Sequence, residues 1–132
     1  MLFRSNYCIV SLDLDNLKVI NDRFGHHEGD EMLISTANIL NMCFGEKGFR
    51  SRMGGDEFAV VLKRVSRDDL EDMLADTNYH LREAGQLEHG VDYSISYGYA
   101  FKDECPSGNP EDVFKLADER MYLQKSRKKR GV

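Results

Sequence analysis

The sequence lacks any apolar run of the roughly 20 residues that a membrane-spanning helix needs. Its first residues, Met1-Leu2-Phe3-Arg4, carry no signal-peptide pattern. The two absences lead us to expect a cytoplasmic chain without direct membrane contact, attached to a membrane only if a longer parent protein supplies the anchor. Cysteine is scarce. Cys8, Cys43 and Cys105 are widely spaced and match neither a zinc pattern nor a disulfide framework, so they read as buried, unreactive thiols of a reducing compartment. Positive charge is in the minority, with 18 Lys and Arg against 23 Asp and Glu. The formal net charge of −5 argues against nucleic-acid binding through the general surface. Internal repeats, low-complexity segments and linkers are absent too. What remains is a chain of 132 residues, 41% hydrophobic and 31% charged, which suits one globular domain.

The stretch that organises the chain is Met53-Gly54-Gly55-Asp56-Glu57-Phe58. Polar and apolar residues flank a glycine pair, the pattern of strand, tight turn and strand. Glycine also lets a phosphate or another backbone approach closely. A turn does not require the Asp-Glu pair that follows. Two readings stay open here: an acidic, solvated hairpin tip, or adjacent carboxylates set out for a hard divalent cation.

Around this hairpin the chain reads in order. Tyr7 to Leu12 is a nearly continuous apolar run, expected as a buried central strand, and it ends in Asp13-Leu14-Asp15. A short helix over 16–22 precedes a break at Phe24-Gly25-His26-His27. Gly29-Asp30 is expected to open a longer helix to about Phe44, ended by Gly45 and Gly48. Ser66 reads as the cap of a helix bearing Leu70, Met73, Leu74, Thr77 and Leu81 on one face, and 85–90 as a loop. Alternation at Val91, Tyr93, Ile95 and Tyr97 predicts a strand. After a loop over 105–109, Asn109-Pro110 starts a last helix with Val113, Phe114, Leu116, Ala117 and Met121 as its apolar stripe. The order predicts an α+β fold, a central mainly antiparallel sheet covered by helices.

If the hairpin lies beside the first strand, Asp13, Asp56 and Glu57 converge. Converging acids suit Mg²⁺, with a backbone carbonyl such as that of Leu14 as a further ligand. A purely structural role would require cations to offset their repulsion. Lys125, on the last helix, is placed to reach a triphosphate, whereas Arg127, Lys128 and Arg130 read as a solvated tail. Asn21 donates and accepts and Asp30 only accepts, a combination that suits the Watson–Crick edge of guanine. Equally, Asn21 reads as a cap and Asp30 as an acid at a helix N-terminus. His26 and His27 lack metal-ligand spacing, and His27 reads as exposed.

Taken together, Asp13 to Asp22, Gly25-His26, Gly29-Asp30, Arg52 to Phe58, Ser94 to Gly98, Ala117-Asp118, Tyr122 and Lys125 resemble the GGDEF domain of bacterial diguanylate cyclases in order and spacing. The resemblance implies a fold akin to the palm of nucleotidyl cyclases and polymerases. It implies synthesis of cyclic di-GMP from two GTP, by two copies of the domain facing each other. By position it implies that Asp13, the Leu14 carbonyl, Asp56 and Glu57 bind Mg²⁺ or Mn²⁺, and that Asp56 or Glu57 is the general base. Asn21, His26 and Asp30 would hold guanine. Lys18 and Lys125 would contact phosphate or the transition state. Lys129 would stand where the family often has an arginine, a point charge in place of a bidentate fork. Gly45 and Gly48 occupy the positions of the family's Arg-x-x-Asp product site, which is therefore expected to be absent. A helix before the first strand and a strand after the last helix are expected to be missing from residues 1–132. The alternative to a cyclase is a GGDEF domain that binds GTP or a partner without chemistry.

Overall fold

Eight consecutive residues, Tyr7–Leu14, form the strand β1, and all of them from Cys8 onward are buried. The apolar run explains the burial, and the strand carries Asp13 in with it. The structure is a computed structural model that describes residues 6–45 and 48–131, with backbone alone for 48–54. The remaining strands are β2 (Gly48–Gly54), β3 (Glu57–Lys63) and β4 (Ile95–Phe101). The sheet order is β2-β3-β1-β4. β3 pairs antiparallel with both β2 and β1, so the tight turn at Gly55 and Asp56 is the hairpin expected. Among the described residues four helices complete the α+β fold: α1 (Leu17–Phe24), α2 (His26–Phe44), α3 (Arg67–His89) and α4 (Pro110–Lys129).

The chain gathers into two compact units. The first comprises 1–13, 46–66 and 96–132, and the second 14–45 and 67–95. In the first, α4 packs on the sheet through Val113 and Ala117, which meet Ile9 and Ala100. Asn109-Pro110 starts α4 as expected, with Pro110 in the first helical position, and the structure adds a cap, the Asn109 side chain accepting from the Glu111 amide. Gly98 of β4 lies where an added Cβ would meet the α4 backbone, 2.2 Å from the Met121 nitrogen. In the second unit α2 packs against α1 and α3.

Several boundaries differ from those the sequence led us to expect. α2 begins at His26 rather than at Gly29. The break is Gly25 alone, whose φ of 97° lies where other residues are strained. Gly45 stands at the C-cap of α2, but Gly48 opens β2 instead of ending the helix. α3 does not give way to a loop at Gly85. It runs on to His89, and Gly85 extends the buried stripe of Leu70, Leu74, Thr77 and Leu81. A Cβ there would overlap the Val91 carbonyl and the Tyr93 amide, so this glycine serves close packing, not termination. β4 starts at Ile95, four residues later than the alternation suggested, and extends to Phe101. A short 3₁₀ turn at Lys102–Glu104 precedes the expected loop. Cys8 is buried, whereas Cys43 and Cys105 are half-buried, and all three are free thiols.

Candidate functional site

The antiparallel register sets Asp13 of β1 directly opposite Glu57 of β3. Asp56 precedes Glu57 on the turn, half-buried. The third contribution comes from α4, where Asp118, Tyr122 and Lys125 recur at the spacing of one helix face. Nζ of Lys125 lies 2.7 Å from Oδ2 of Asp13. Ser11, fully buried and on the same face of β1 as Asp13, donates to Oδ1 of Asp118 at 2.8 Å. All of these residues belong to the first unit.

The electrostatics are those of four carboxyls and one ammonium in a small space. Asp13 is 7% exposed. Burial raises its pKa and Asp56 adds to the rise, while the Lys125 ammonium opposes both. Glu57 is pushed up to about 7, by burial first, then by Asp118 within hydrogen-bonding reach, then by Asp13 and Asp56. The negative charge of Glu57 and Asp118 also raises the Tyr122 hydroxyl.

Among the described residues no three His, Cys, Asp or Glu side chains are arranged to hold a metal ion. The donor set nevertheless fits one of the hard divalent cations. Oδ1 of Asp13 is buried and accepts no hydrogen bond, which is costly for a carboxylate unless something positive meets it. Mg²⁺ keeps several waters and takes only one or two carboxylates when a substrate phosphate completes its shell. The pairing of Asp13 with Lys125 is the cation that a purely structural role would need. Lys125 thus stands closer to the acids than a side chain reaching only for a triphosphate.

The structure brings together Asp13, Asp56, Glu57 and Lys125 of the residues singled out from the sequence. Leu14, buried, closes β1 beside Asp13. Lys129 is the exposed last residue of α4. In the second unit Lys18 is exposed on α1, and His26 and Asp30 are exposed in the first turns of α2. Asn21 is half-buried on α1, with its side-chain oxygen over Gly29, where an added Cβ would overlap it. His27 is exposed as expected. The sequence alone does not single out Asp118 or Ser11 as site residues. The signals were present, since Asp118 lies seven residues before Lys125 on one helix face and Ser11 is a polar residue two before Asp13.

The raised carboxyl of Glu57 makes a pH-dependent expectation. In the unfolded chain it ionises near its ordinary 4.5, and in the fold near 7. The folded state then favours the proton, so this stability is complete below the lower value and is lost as pH rises through the higher. In metal-free buffer Glu57→Gln should melt roughly 5 °C above the wild type at about pH 8, and the two should converge below about pH 4.5. Thermal melts across that range check it. A gap independent of pH would remove Glu57 from the set of strained acids.

Residues 3–131 match the family model described as diguanylate cyclase, GGDEF domain. The chain is 40% identical over 115 residues to a protein named probable diguanylate cyclase DgcI of Escherichia coli K12, covering 86% of this chain and 24% of that one. It is 32% identical over 123 residues to an uncharacterised 19.3 kDa protein of Streptomyces ambofaciens, covering 93% and 66%. Among solved structures it resembles the GGDEF domain of DgcB from Caulobacter crescentus in complex with c-di-GMP, with a TM-score of 0.81 at 25% identity, covering 92% of this chain and 72% of that one. It also resembles the active GGEEF domain of a diguanylate cyclase from Vibrio cholerae, with a TM-score of 0.80 at 26% identity, covering 92% and 78%. The chain thus spans two thirds or less of the curated relatives it matches, 66% of one and 24% of the other. Among the described residues no helix is long and apolar enough to cross a membrane.

Proposed function

Because the chain belongs to the diguanylate cyclase GGDEF-domain family, we propose that it condenses two GTP molecules into cyclic di-GMP and pyrophosphate. The observation that carries this reading is the register that sets Asp13 opposite Glu57 beside Asp56, with one buried Asp13 oxygen left without a partner. The family requires a divalent metal, and here Asp13, the Leu14 carbonyl, Asp56 and Glu57 would hold Mg²⁺ or Mn²⁺. When bound, the ion supplies charge neutralisation for phosphoryl transfer, which depends on positioning and electrostatics more than on covalent chemistry.

The chain's own groups do the rest. Lys125, already drawn to Asp13, presents its ammonium to the phosphates, and Lys18 and Lys129 add further positive charge. Asp56 is the base implied by the family for the 3′-hydroxyl proton. Glu57, adjacent to Asp56 and opposite Asp13, is the alternative that the family resemblance leaves open. In the second unit Asn21, His26 and Asp30 recognise guanine. Asp30 accepts from the base N–H donors, and Asn21 completes the edge.

A non-catalytic GTP-binding module is the second reading. The 2.7 Å pair of Lys125 and Asp13 favours it, since it neutralises one acid without any metal. Incubation with GTP and Mg²⁺, with the product identified by mass, separates the two. Cyclic di-GMP supports the cyclase, and binding of GTP without product supports the module.

The product's two equivalent phosphodiester bonds require two GTP molecules, each 3′-hydroxyl aimed at the other α-phosphate. Among the described residues the chain carries one acidic cluster and one guanine set. The active form is therefore two copies about a two-fold axis. Activity per molecule should rise with protein concentration over a dilution series. A flat profile from a protein that sediments as a monomer would rule the paired mechanism out.

A further inference from the structure

In the second unit the end of α3 is tied to α2 by five side chains outside the acidic cluster. The His89 side chain is 5% exposed. Its Nε2 lies 2.9 Å from Oε1 of Glu28, and its Nδ1 lies 2.6 Å from the Tyr93 hydroxyl. Tyr93 is fully buried, and its hydroxyl donates to Oε1 of Glu88 at 3.0 Å. Ser35 donates to the other oxygen of Glu88 at 2.8 Å. A carboxylate only accepts, and the tyrosine proton is directed to Glu88, so the network is complete when both ring nitrogens of His89 donate. Phe24 of α1 covers the ring, with centroids 4.5 Å apart.

Glu28 and Ser35 lie seven residues apart, two turns along one face of α2. Buried Met32 and Leu40 already give α2 an apolar attachment. A satisfied polar network adds orientation to such packing. The need for it is visible at the start of α2. Gly25 precedes the helix and no side chain caps it. The amides of Glu28 and Gly29 both bond the Gly25 carbonyl, at 3.1 and 3.2 Å. The first turn is therefore anchored through Glu28, and Glu28 sits between His26 and Asp30.

We propose that Glu28, His89, Tyr93, Glu88 and Ser35 form a positioning clamp that sets the first turn of α2 for nucleobase recognition. This rests on the reading of His26 and Asp30 as guanine contacts. His89 is a positioning residue that governs base selection through Glu28.

The test uses the full chain with Glu28→Ala, Glu28→Gln and His89→Leu. It measures equilibrium competition of GTP with ATP, and amide exchange at Gly29 without nucleotide. Glu28→Ala should reduce the preference for GTP about tenfold, the upper scale of one part-buried hydrogen bond, and accelerate exchange by a similar factor. Glu28→Gln should preserve both, since its amide oxygen still accepts from Nε2. A merely structural role would lower the melting temperature and leave the preference unchanged. If His89→Leu fails to fold, Glu28→Ala decides, because Glu28 is 39% exposed and its truncation removes no core. A folded Glu28→Ala with wild-type GTP preference or wild-type exchange overturns the clamp alone. A wild type that binds no GTP overturns the functional reading and base selection together, whatever the exchange data give.

Discussion

Asp56→Ala should abolish turnover, lowering it by at least about a thousandfold, as expected for losing several kcal/mol of metal-mediated charge stabilisation. The fold should survive. Asp56 lies half-buried on the hairpin turn, outside the buried core. Its charge helps raise the carboxyl of Asp13, so its removal relieves repulsion, and the melting temperature should stay level or rise slightly. Turnover and thermal melts on one preparation check both halves. A variant that keeps substantial cyclase activity would show that neither metal nor base depends on this residue. A variant that loses activity by unfolding would assign the turn a structural role instead.

The second large effect is expected far from the hairpin. Gly98→Ala places a Cβ 2.2 Å from the Met121 nitrogen, 2.4 Å from the Ala117 oxygen and 2.6 Å from the Arg120 carbonyl carbon. All three are backbone atoms of α4 and cannot swing aside as a side-chain tip would. β4 and α4 must separate, at about 3 kcal/mol, the upper end of ordinary overpacking. For a chain of this size that is a fall of roughly 10 °C in melting temperature. Activity should fall with it, because α4 carries Lys125 against Asp13 and Asp118 against Ser11. Urea unfolding of Gly98→Ala beside Gly55→Ala gives an internal control, since an added Cβ at Gly55 meets nothing within 4 Å. Equal stability of the two variants would mean that the strand and helix are not in the close contact described.

The glycines also mark the limit of what was legible in the chain. Sequence pattern alone determined the features encoded within a few residues: the buried β1, the hairpin at Gly55 and Asp56, the start of α4 at Asn109-Pro110, and the acids that end one strand and open another. Local apolar periodicity and turn chemistry suffice for these. Family resemblance in the same residues determined the chemistry expected of them. Gly85 reads as a loop residue because a glycine that ends a helix and one that lets a backbone pass close to it look alike in sequence. Only the neighbouring Val91 and Tyr93 backbone distinguishes them. The tertiary structure also decided which partner each charge takes. Lys125 meets Asp13 across 112 residues, and Ser11 meets Asp118 across 107. Such contacts exist only once β1 and α4 have packed together, and burial then shifts the carboxyls of Asp13 and Glu57 by removing the water that would otherwise screen them.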